Sequence, residues 1–189
     1  IEDGIQTLMY QLNSLQGTNG QAPFITIFMY LDDVPEGKSR DDLALVCKKI
    51  FEQRILGLKD KNGVYVSPAF PKLIYVLDED NIHDDSPYFW LTELAAKCTA
   101  NRMVPDYISA KVMKELKDGN VYSSMGCRSF LTVAYVDKND PWKITTKKKG
   151  VPKFVGRFNQ GVVTLNLPDV ALSSGKDIEK FWYILDERL

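Results

Sequence analysis

Cys127 is the residue of this sequence whose setting points most directly to chemistry. It stands in the short polar loop Ser123–Ser129, between a predicted helix and a predicted buried strand, and Arg128 follows it directly. A neighbouring cation favours the reactive thiolate, and α/β proteins carry reactive groups on loops that enter a sheet. The other two cysteines, Cys47 and Cys98, fall on apolar helix stripes, where a free cysteine is usually packed in the core. Cys127 is therefore the candidate for a functional thiol.

A cysteine that acts as a two-electron nucleophile needs a base, and the sequence has a single histidine, His83. His83 lies in a polar loop before a predicted helix, and this setting indicates a surface position. Nothing in the sequence brings it near Cys127. A cysteine hydrolase therefore stays open only as a weaker alternative.

Two further stretches carry polar residues that could contact a ligand. The stretch Gly156–Gly161 brackets arginine, asparagine and glutamine with glycines before a predicted strand. This pattern fits a close backbone approach to a ligand and a glycine-rich turn equally well. Lysines are dense between residues 137 and 153, and a solvated hairpin is the favoured interpretation, although an anionic ligand is the alternative. The lysines are Lys143, Lys147, Lys148, Lys149 and Lys153.

The stretch Gly37–Ser39 resembles the end of a phosphate-binding loop, because it follows a predicted strand and opens a predicted helix. However, Asp32 occupies the position of the first glycine that such a loop requires, and nearby carboxylates would repel phosphate. We therefore predict that Ser39 caps the helix, with Asp42 as its partner.

The composition limits the classes of partner. A formal charge of −1 and a pI near 5.9 leave no global basic footprint, so no nucleic-acid partner is expected. No apolar run approaches the roughly 18 residues that a membrane span needs, and no signal peptide pattern is present, so a soluble cytoplasmic protein is expected. Three irregularly spaced cysteines cannot form a disulfide framework or a four-sulfur metal site. The sequence begins without methionine and already at helical spacing, which suggests part of a longer protein.

The elements that must position Cys127 follow from hydrophobic spacing. Continuous apolar runs predict buried strands at residues 23–31, 73–77, 130–136 and 162–167. Apolar residues three and four apart predict helices at residues 5–15, 86–98, 105–117 and 178–189, and a further helix that starts at residue 39 and stops between Gly57 and Gly63. This alternation predicts an α/β domain with mainly parallel strand pairing.

Six collinear stretches resemble the anaerobic (class III, glycyl-radical) ribonucleoside-triphosphate reductases. They are residues 19–24 (NGQAPF), 65–73 (YVSPAFPKL), 95–99 (AAKCT), 102–107 (RMVPDY), 125–131 (MGCRSFL) and 156–163 (GRFNQGVV). By this resemblance, residues 1–189 are a single internal segment of the catalytic barrel. The resemblance implies a ten-stranded α/β barrel of two half-barrels, with a finger loop in its centre and a cysteine at the tip of the loop.

The family's chemistry gives Cys127 its implied role. A glycyl radical on a separate C-terminal loop oxidises the finger-loop cysteine to a thiyl radical, which takes a hydrogen atom from the ribose 3′ carbon. The 2′ hydroxyl then leaves as water, and formate is the reductant in many members. The resemblance also implies a substrate-binding asparagine after the finger loop; Asn159 is the match and Asn166 is the rival. The implied substrate-binding set is Ser124, Met125, Gly126, Arg128 and Arg157.

The resemblance implies partners that the sequence itself does not contain. They are a ribonucleoside triphosphate, nucleotide effectors, a second subunit in a homodimer, and an activase that uses an iron-sulfur cluster and S-adenosylmethionine. The sequence has no glycyl-radical motif, no four-cysteine zinc site, no ATP-cone-like region and no second active-site cysteine. The segment alone is therefore expected to be inactive and to bind no cofactor or metal.

Two alternatives to the reductase remain. The first is a lyase- or acyltransferase-type glycyl radical enzyme, but such enzymes commonly carry two adjacent cysteines on the finger, whereas Gly126 and Arg128 flank Cys127. The second is a non-catalytic module that binds nucleotides or another subunit. Nucleotide titration of the segment against the full-length protein would separate this module from the enzyme.

Overall fold

The computed structural model describes residues 1–18, 20, 23–125, 129–156 and 164–189. The chain divides into two compact units, Ile1–Arg157 and Phe158–Leu189. The helices of the first unit are α1 (Glu2–Ser14), α2 (Lys38–Leu56), α3 (Phe89–Arg102) and α4 (Ala110–Leu116). Its strands are β1 (Thr26–Met29), β2 (Leu58–Lys59), β3 (Tyr65–Val66), β4 (Lys72–Leu77), β5 (Asp106–Ser109), β6 (Ala134–Val136), β7 (Ile144–Thr145) and β8 (Val151–Lys153). The second unit carries α5 (Leu167–Ser174) and α6 (Ile178–Arg188).

A parallel sheet of order β1-β4-β5 is the centre of the first unit. The predicted strand at residues 73–77 is confirmed as β4, whose Leu73, Ile74, Tyr75 and Val76 are all buried. A central parallel strand is covered on both faces, and this explains its unbroken apolar run. The strand predicted at residues 23–31 is shorter, because the chain turns into a 3-10 helix at Leu31–Asp33.

Helices α1, α2 and α3 cover the sheet and form most of the core. The predicted stripes are confirmed where they face the sheet, because Cys47, Phe51, Leu91 and Cys98 are all buried. The ring of Phe51 meets Tyr75 of β4 edge-on at 5.5 Å between centroids. Burial of such side chains stabilises the fold by about 25 cal/mol for each Å² of apolar area removed from water.

The ends of α2 and α3 differ from the sequence prediction. Helix α2 begins at Lys38 after Gly37, and no side chain caps it, so the prediction of Ser39 as the cap is wrong. Helix α3 begins at Phe89, two residues after the proline predicted to open it. The predicted stop of α2 is confirmed at Gly57, which has φ +91 and whose added Cβ would lie 2.6 Å from the carbonyl oxygen of Val66. Glycine is therefore required there by both backbone conformation and space.

The sequence predicted one helix at residues 105–117, but the structure has a strand and a shorter helix there. Asp106–Ser109 forms β5, which pairs in parallel with β4, and α4 follows at once with Ser109 as its N-cap. The strand predicted at residues 130–136 is reduced to β6, which pairs antiparallel with both β7 and β8. The lysine-rich residues thus form the predicted hairpin, enlarged to a small three-stranded sheet.

The second unit contains a helix pair in its described part. Its predicted strand at 162–167 is not present over the described residues, because residues 164–166 have no strand pairing and α5 begins at Leu167. The last predicted helix is confirmed as α6, although its predicted apolar stripe includes exposed Ile178 and Trp182.

The fold is mixed α/β, as predicted, but only one of its three described sheets has the predicted parallel strand pairing. The buried central sheet is parallel, whereas β2-β3 and β7-β6-β8 are antiparallel. Within the described ranges, none of the helices combines the length and apolar character that a membrane crossing needs.

Candidate functional site

Two backbone segments that precede and follow Cys127 in the sequence pair with each other. Met125 and Ser129 form an isolated antiparallel bridge, and the amide of Met125 donates to the carbonyl oxygen of Ser129 at 2.8 Å. The two residues flank Gly126-Cys127-Arg128, and Cys127 is the middle one of the three in the sequence. The pair therefore forms a stem, which we define as residues 122–125 and 129–131.

Side chains of neighbouring elements hold the two arms of the stem together. The hydroxyl of Tyr122 donates to the carbonyl oxygen of Leu131, and its ring stacks on Phe154 with centroids 4.6 Å apart. The ammonium group of Lys117, just beyond α4, donates to the carbonyl oxygen of Phe130 at 2.9 Å. Hydrogen bonds from a charged donor are stronger than those between neutral groups, so Lys117 ties the stem to the end of α4.

Some of the predicted site residues lie within the described part of the chain, and the others lie outside it. Gly126, Cys127, Arg128, Arg157 and Asn159 lie outside the described residues. Of the others, Ser124 is buried with 5% of its surface exposed, and Met125 is half-buried in the stem.

The rival asparagine, Asn166, has a structural partner. Its side-chain oxygen accepts the amide of Asp169 at 3.1 Å and thereby caps the N-terminus of α5. Asparagine is one of the preferred residues at this position, since its side chain satisfies an amide that has no partner in the helix. The side-chain oxygen of Asn166 is therefore already in use within its own helix.

An apolar cleft of about 270 Å³ lies beside the stem. Tyr107, Val112 and Leu116 line it from β5 and α4, and Lys117 and Phe130 line its stem side. The cleft thus lies between the end of the central sheet and the stem. Two of its lining residues, Lys117 and Phe130, also hydrogen-bond to each other.

The two described cysteines are core residues, as predicted. Cys47 and Cys98 have 1% or less of their surface exposed. Burial raises the pKa of the Cys47 thiol to about 12 and that of Cys98 to about 11. Desolvation disfavours the thiolate, so both thiols stay protonated and unreactive at neutral pH.

His83 occupies the exposed position that the sequence predicted. Its side chain is 61% exposed, and Nε2 lies 3.3 Å from a carboxylate oxygen of Glu79. Among the described residues, no three His, Cys, Asp or Glu side chains are grouped so that they could hold a metal ion.

A buried ion-pair network at the carboxyl ends of β1 and β4 was not anticipated. Arg40 of α2 donates from Nη2 to Asp32 at 2.8 Å and to the carbonyl oxygen of Val34 at 3.0 Å. Its Nη1 lies 3.4 Å from Asp80, whose pKa is raised because burial outweighs the attraction of Arg40. Asp32 and Asp80 follow β1 and β4, and the carboxyl ends of these adjacent parallel strands bring the two aspartates together. The sequence shows an aspartate after each of the two strands.

Tyr30 extends this network towards α4. Its hydroxyl lies 3.1 Å from Asp32 and 3.2 Å from Asp78, while Lys114 of α4 donates to Asp78 at 3.1 Å. Burial, and then the two carboxylates, raise the pKa of Tyr30, so its hydroxyl remains protonated and acts as a donor. The network connects β1, β4, α2 and α4 and so supports the elements from which the stem begins.

Comparison with known proteins identifies the family. The family described as "Anaerobic ribonucleoside-triphosphate reductase" matches residues 1–189. The anaerobic ribonucleoside-triphosphate reductase of Enterobacteria phage T4 is 38% identical over 100% of this chain and 29% of its own length. The enzymes of the same name from Escherichia coli (strain K12) and Haemophilus influenzae are 35% and 36% identical over 99% of this chain and about a quarter of their own lengths. The chain therefore belongs to the anaerobic ribonucleoside-triphosphate reductase family, and it spans about a quarter of the length of these relatives.

Proposed function

We propose that this chain is the segment of an anaerobic ribonucleoside-triphosphate reductase that carries the cysteine acting on the ribose, Cys127. The whole enzyme would reduce ribonucleoside triphosphates to deoxyribonucleotides. The observation that carries this proposal is the family match, which extends over residues 1–189. The Met125–Ser129 pair supports the choice of residue, because it closes the base of the loop that contains Cys127.

The chemistry proposed for Cys127 is hydrogen-atom transfer. The thiol loses a hydrogen atom to the glycyl radical of the full-length polypeptide, and the resulting thiyl radical takes the hydrogen atom from the ribose 3′ carbon. One S–H bond forms as one C–H bond breaks, and a substrate radical remains. This radical allows the 2′ hydroxyl to take up a proton and leave as water. An external reductant such as formate then supplies two electrons and a hydrogen for the 2′ carbon and is oxidised to carbon dioxide, and the Cys127 thiol returns its hydrogen atom to the 3′ carbon. No histidine base is required, in keeping with the exposed position of His83.

Asn159 is proposed to hold a ribose hydroxyl through its amide, which both donates and accepts hydrogen bonds. The competing residue, Asn166, already uses its side-chain oxygen to cap α5, and this supports the choice of Asn159. Ser124, Met125, Gly126, Arg128 and Arg157 are proposed as further substrate contacts.

The remaining parts of the proposal concern the whole enzyme. The parallel sheet β1-β4-β5 would contribute strands to a ten-stranded barrel, and the stem would be the base of its finger loop. A homodimer, nucleotide effectors, a structural zinc site and an activase with an iron-sulfur cluster and S-adenosylmethionine would complete the system. The order of elements supports this arrangement, because the stem follows directly after α4 and the central sheet.

The test of the proposal is Cys127→Ala in the full-length enzyme, activated without oxygen. The glycyl radical should still form, because activation takes place at a distant loop, whereas deoxynucleotide product should be absent. Cys98→Ala is the matched control, since it removes a buried core thiol and should retain most turnover. Electron paramagnetic resonance and a product assay are measured on the same samples. Substantial product from Cys127→Ala would refute the assigned role.

Asparagine variants of the same enzyme test the second residue. Asn159→Ala should lower turnover by about five-fold or more, since a lost hydrogen bond to a polar group costs on the order of 1 kcal/mol or more. Asn166→Ala should affect mainly the stability of α5. If the effects on turnover are reversed, Asn166 is the substrate residue.

A further inference from the structure

The lysine-rich sheet, defined as β6, β7, β8 and their connections at residues 134–153, has a charge that differs from that of the chain. It contains six lysines and two aspartates, a net charge of +4, whereas the whole chain has −1. Lys147 pairs with Asp118, but in the described part of the chain Lys143, Lys148 and Lys149 have no carboxylate within ion-pair distance. The sheet is therefore a local cationic surface that the overall composition conceals.

The same sheet carries an exposed aromatic ring. Trp142 is 79% exposed and Ile144 is 81% exposed. The ammonium group of Lys153 lies 4.2 Å from the centroid of the Trp142 ring and also donates to the carbonyl oxygen of Pro141 at 2.9 Å. A cation at this distance is attracted to the ring and holds it in place. An oriented, solvent-facing tryptophan thus lies among lysines.

The sheet is a built element and not a mobile tail. Val136 of β6 pairs with Ile144 on one side and with Val151 on the other. A Cβ added at Gly150 would lie 2.7 Å from the carbonyl oxygen of Val136, so the turn before β8 packs closely on β6. The hydroxyl of Tyr135 donates to Asp118 at 2.9 Å and fixes the sheet to the end of α4.

The lysines of the sheet lie on both sides of β7 in the sequence. Lys143 precedes β7, and Lys148 and Lys149 follow it, so the two lysine groups are separated by the length of that strand. At about 3.3 Å per residue, the two residues of β7 extend the backbone by about 7 Å. Six lysines on one small sheet can contact several phosphates of a polyanion, and a polyanion gains affinity with each phosphate that a cation neutralises.

We propose that the lysine-rich sheet binds single-stranded nucleic acid, with Trp142 stacking on a base and the lysines contacting phosphates. Proteins that bind single strands without sequence preference combine these two features. All basic residues of the sheet are lysine, which is depleted in protein interfaces, so a protein partner fits less well. The proposal goes beyond the reductase activity and does not depend on it. It also departs from the expectation, based on overall charge, that nucleic acid is not a partner.

The experiment measures binding of a fluorescein-labelled oligothymidylate to the full-length protein by fluorescence anisotropy at several salt concentrations. Trp142→Ala should weaken binding by a factor of about 5 to 100, the contribution of one stacked base. Combined Lys143→Ala, Lys148→Ala and Lys149→Ala should weaken binding and lower the slope of log K against log salt by about 2, at roughly 0.7 per phosphate contact.

Matched variants control for charge and for loss of an exposed ring. Lys61→Ala, Lys97→Ala and Lys111→Ala remove three exposed lysines elsewhere, and Trp182→Ala removes an exposed tryptophan of α6. These variants should bind the oligonucleotide as the parent protein does. If they weaken binding as much as the sheet variants do, the effect is one of net charge and the proposal is wrong.

Competition experiments distinguish other ligands. Displacement of the oligonucleotide by a deoxynucleoside triphosphate would indicate a mononucleotide pocket. Equal competition by polyglutamate or by phosphatidylserine vesicles would indicate an acidic protein or a membrane, and equal binding of duplex DNA would indicate adhesion to any polyanion. Each of these results overturns the proposal, as does the absence of binding at about 50 mM salt, where cationic sites bind strongly.

Discussion

Arg40→Met tests whether the buried network at the ends of β1 and β4 supports the first unit. The variant removes the guanidinium that pairs with Asp32 at 2.8 Å and with Asp80 at 3.4 Å, while it keeps an unbranched apolar stem. The side chain of Asp80 is only 17% exposed, so its charge would be left buried without its cation. Breaking a fully buried pair by removing one partner costs about 3 to 5 kcal/mol. Because the side chains of Asp32 and Asp80 are 49% and 17% exposed, we expect a loss at or below the low end of this range at neutral pH.

The loss should depend on pH in a direction set by Asp80. Burial raises the pKa of Asp80 above its ordinary value, and Arg40 opposes that rise. The pKa in the Arg40→Met variant should therefore be higher still. Between the raised and the ordinary pKa the folded state binds more protons than the unfolded state, so this carboxyl's contribution to stability increases as pH falls. The deficit of Arg40→Met should consequently be largest near neutral pH and shrink as the medium is acidified.

The free energies of unfolding of the parent protein and of each variant are measured at several pH values by urea unfolding, followed by tryptophan fluorescence. Lys48→Met is the matched control, because Lys48 forms an exposed pair with Glu52 at 3.7 Å that contributes about 0.5 kcal/mol. Asp80→Asn in the Arg40→Met background should recover part of the loss by removing the unpaired charge. A deficit no larger than that of Lys48→Met, or one that grows with acidification, would refute this account of the network.

Two further predictions concern the thiols and the stem. Cys47 and Cys98 should resist alkylation at pH 8 in the folded protein while Cys127 is modified, because burial keeps both core thiols protonated. Peptide mapping over time measures the rate of modification of each cysteine. Faster modification of Cys47 or Cys98 than of Cys127 would contradict this prediction. Lys117→Met should lower kcat more than it changes KM and should speed hydrogen exchange of the stem amides, because it removes a charged donor worth about 1.5 to 3 kcal/mol. Lys111→Met, at an exposed position of α4, is the control, and equal effects of the two variants would exclude a specific role of Lys117.

The helices and the central strand could be predicted because burial imposes a periodic pattern on them. The apolar run of β4 and the stripes of α2 and α3 record contacts with one core. Strand β5 could not be predicted in this way, because its four residues alternate in burial and its pairing with β4 is a tertiary contact. The cap of α5 had a local signal that was missed, since Asn166 followed by Pro168 is typical of a helix start.

The contacts around the candidate site could not be predicted from the sequence. The type and setting of Cys127 are local properties of the sequence, so they were visible. The Met125–Ser129 pair and the bond from Lys117 join segments through geometry, and no periodic pattern records them. The Arg40 network had a partial signal, because aspartates follow both β1 and β4, but which cation would neutralise them depends on how α2 packs.

The parallel sheet β1-β4-β5 has a consequence for handling the 189-residue chain by itself. Strand β4 is central, and among the described strands β1 and β5 each pair with β4 alone. Edge strands can recruit strands from other molecules, and β1 (TIFM) carries no charged residue. Aggregation of the isolated chain should therefore increase steeply with protein concentration. Phe24→Lys, at a position that is 66% exposed and lies two residues before β1, would be the first means of slowing it.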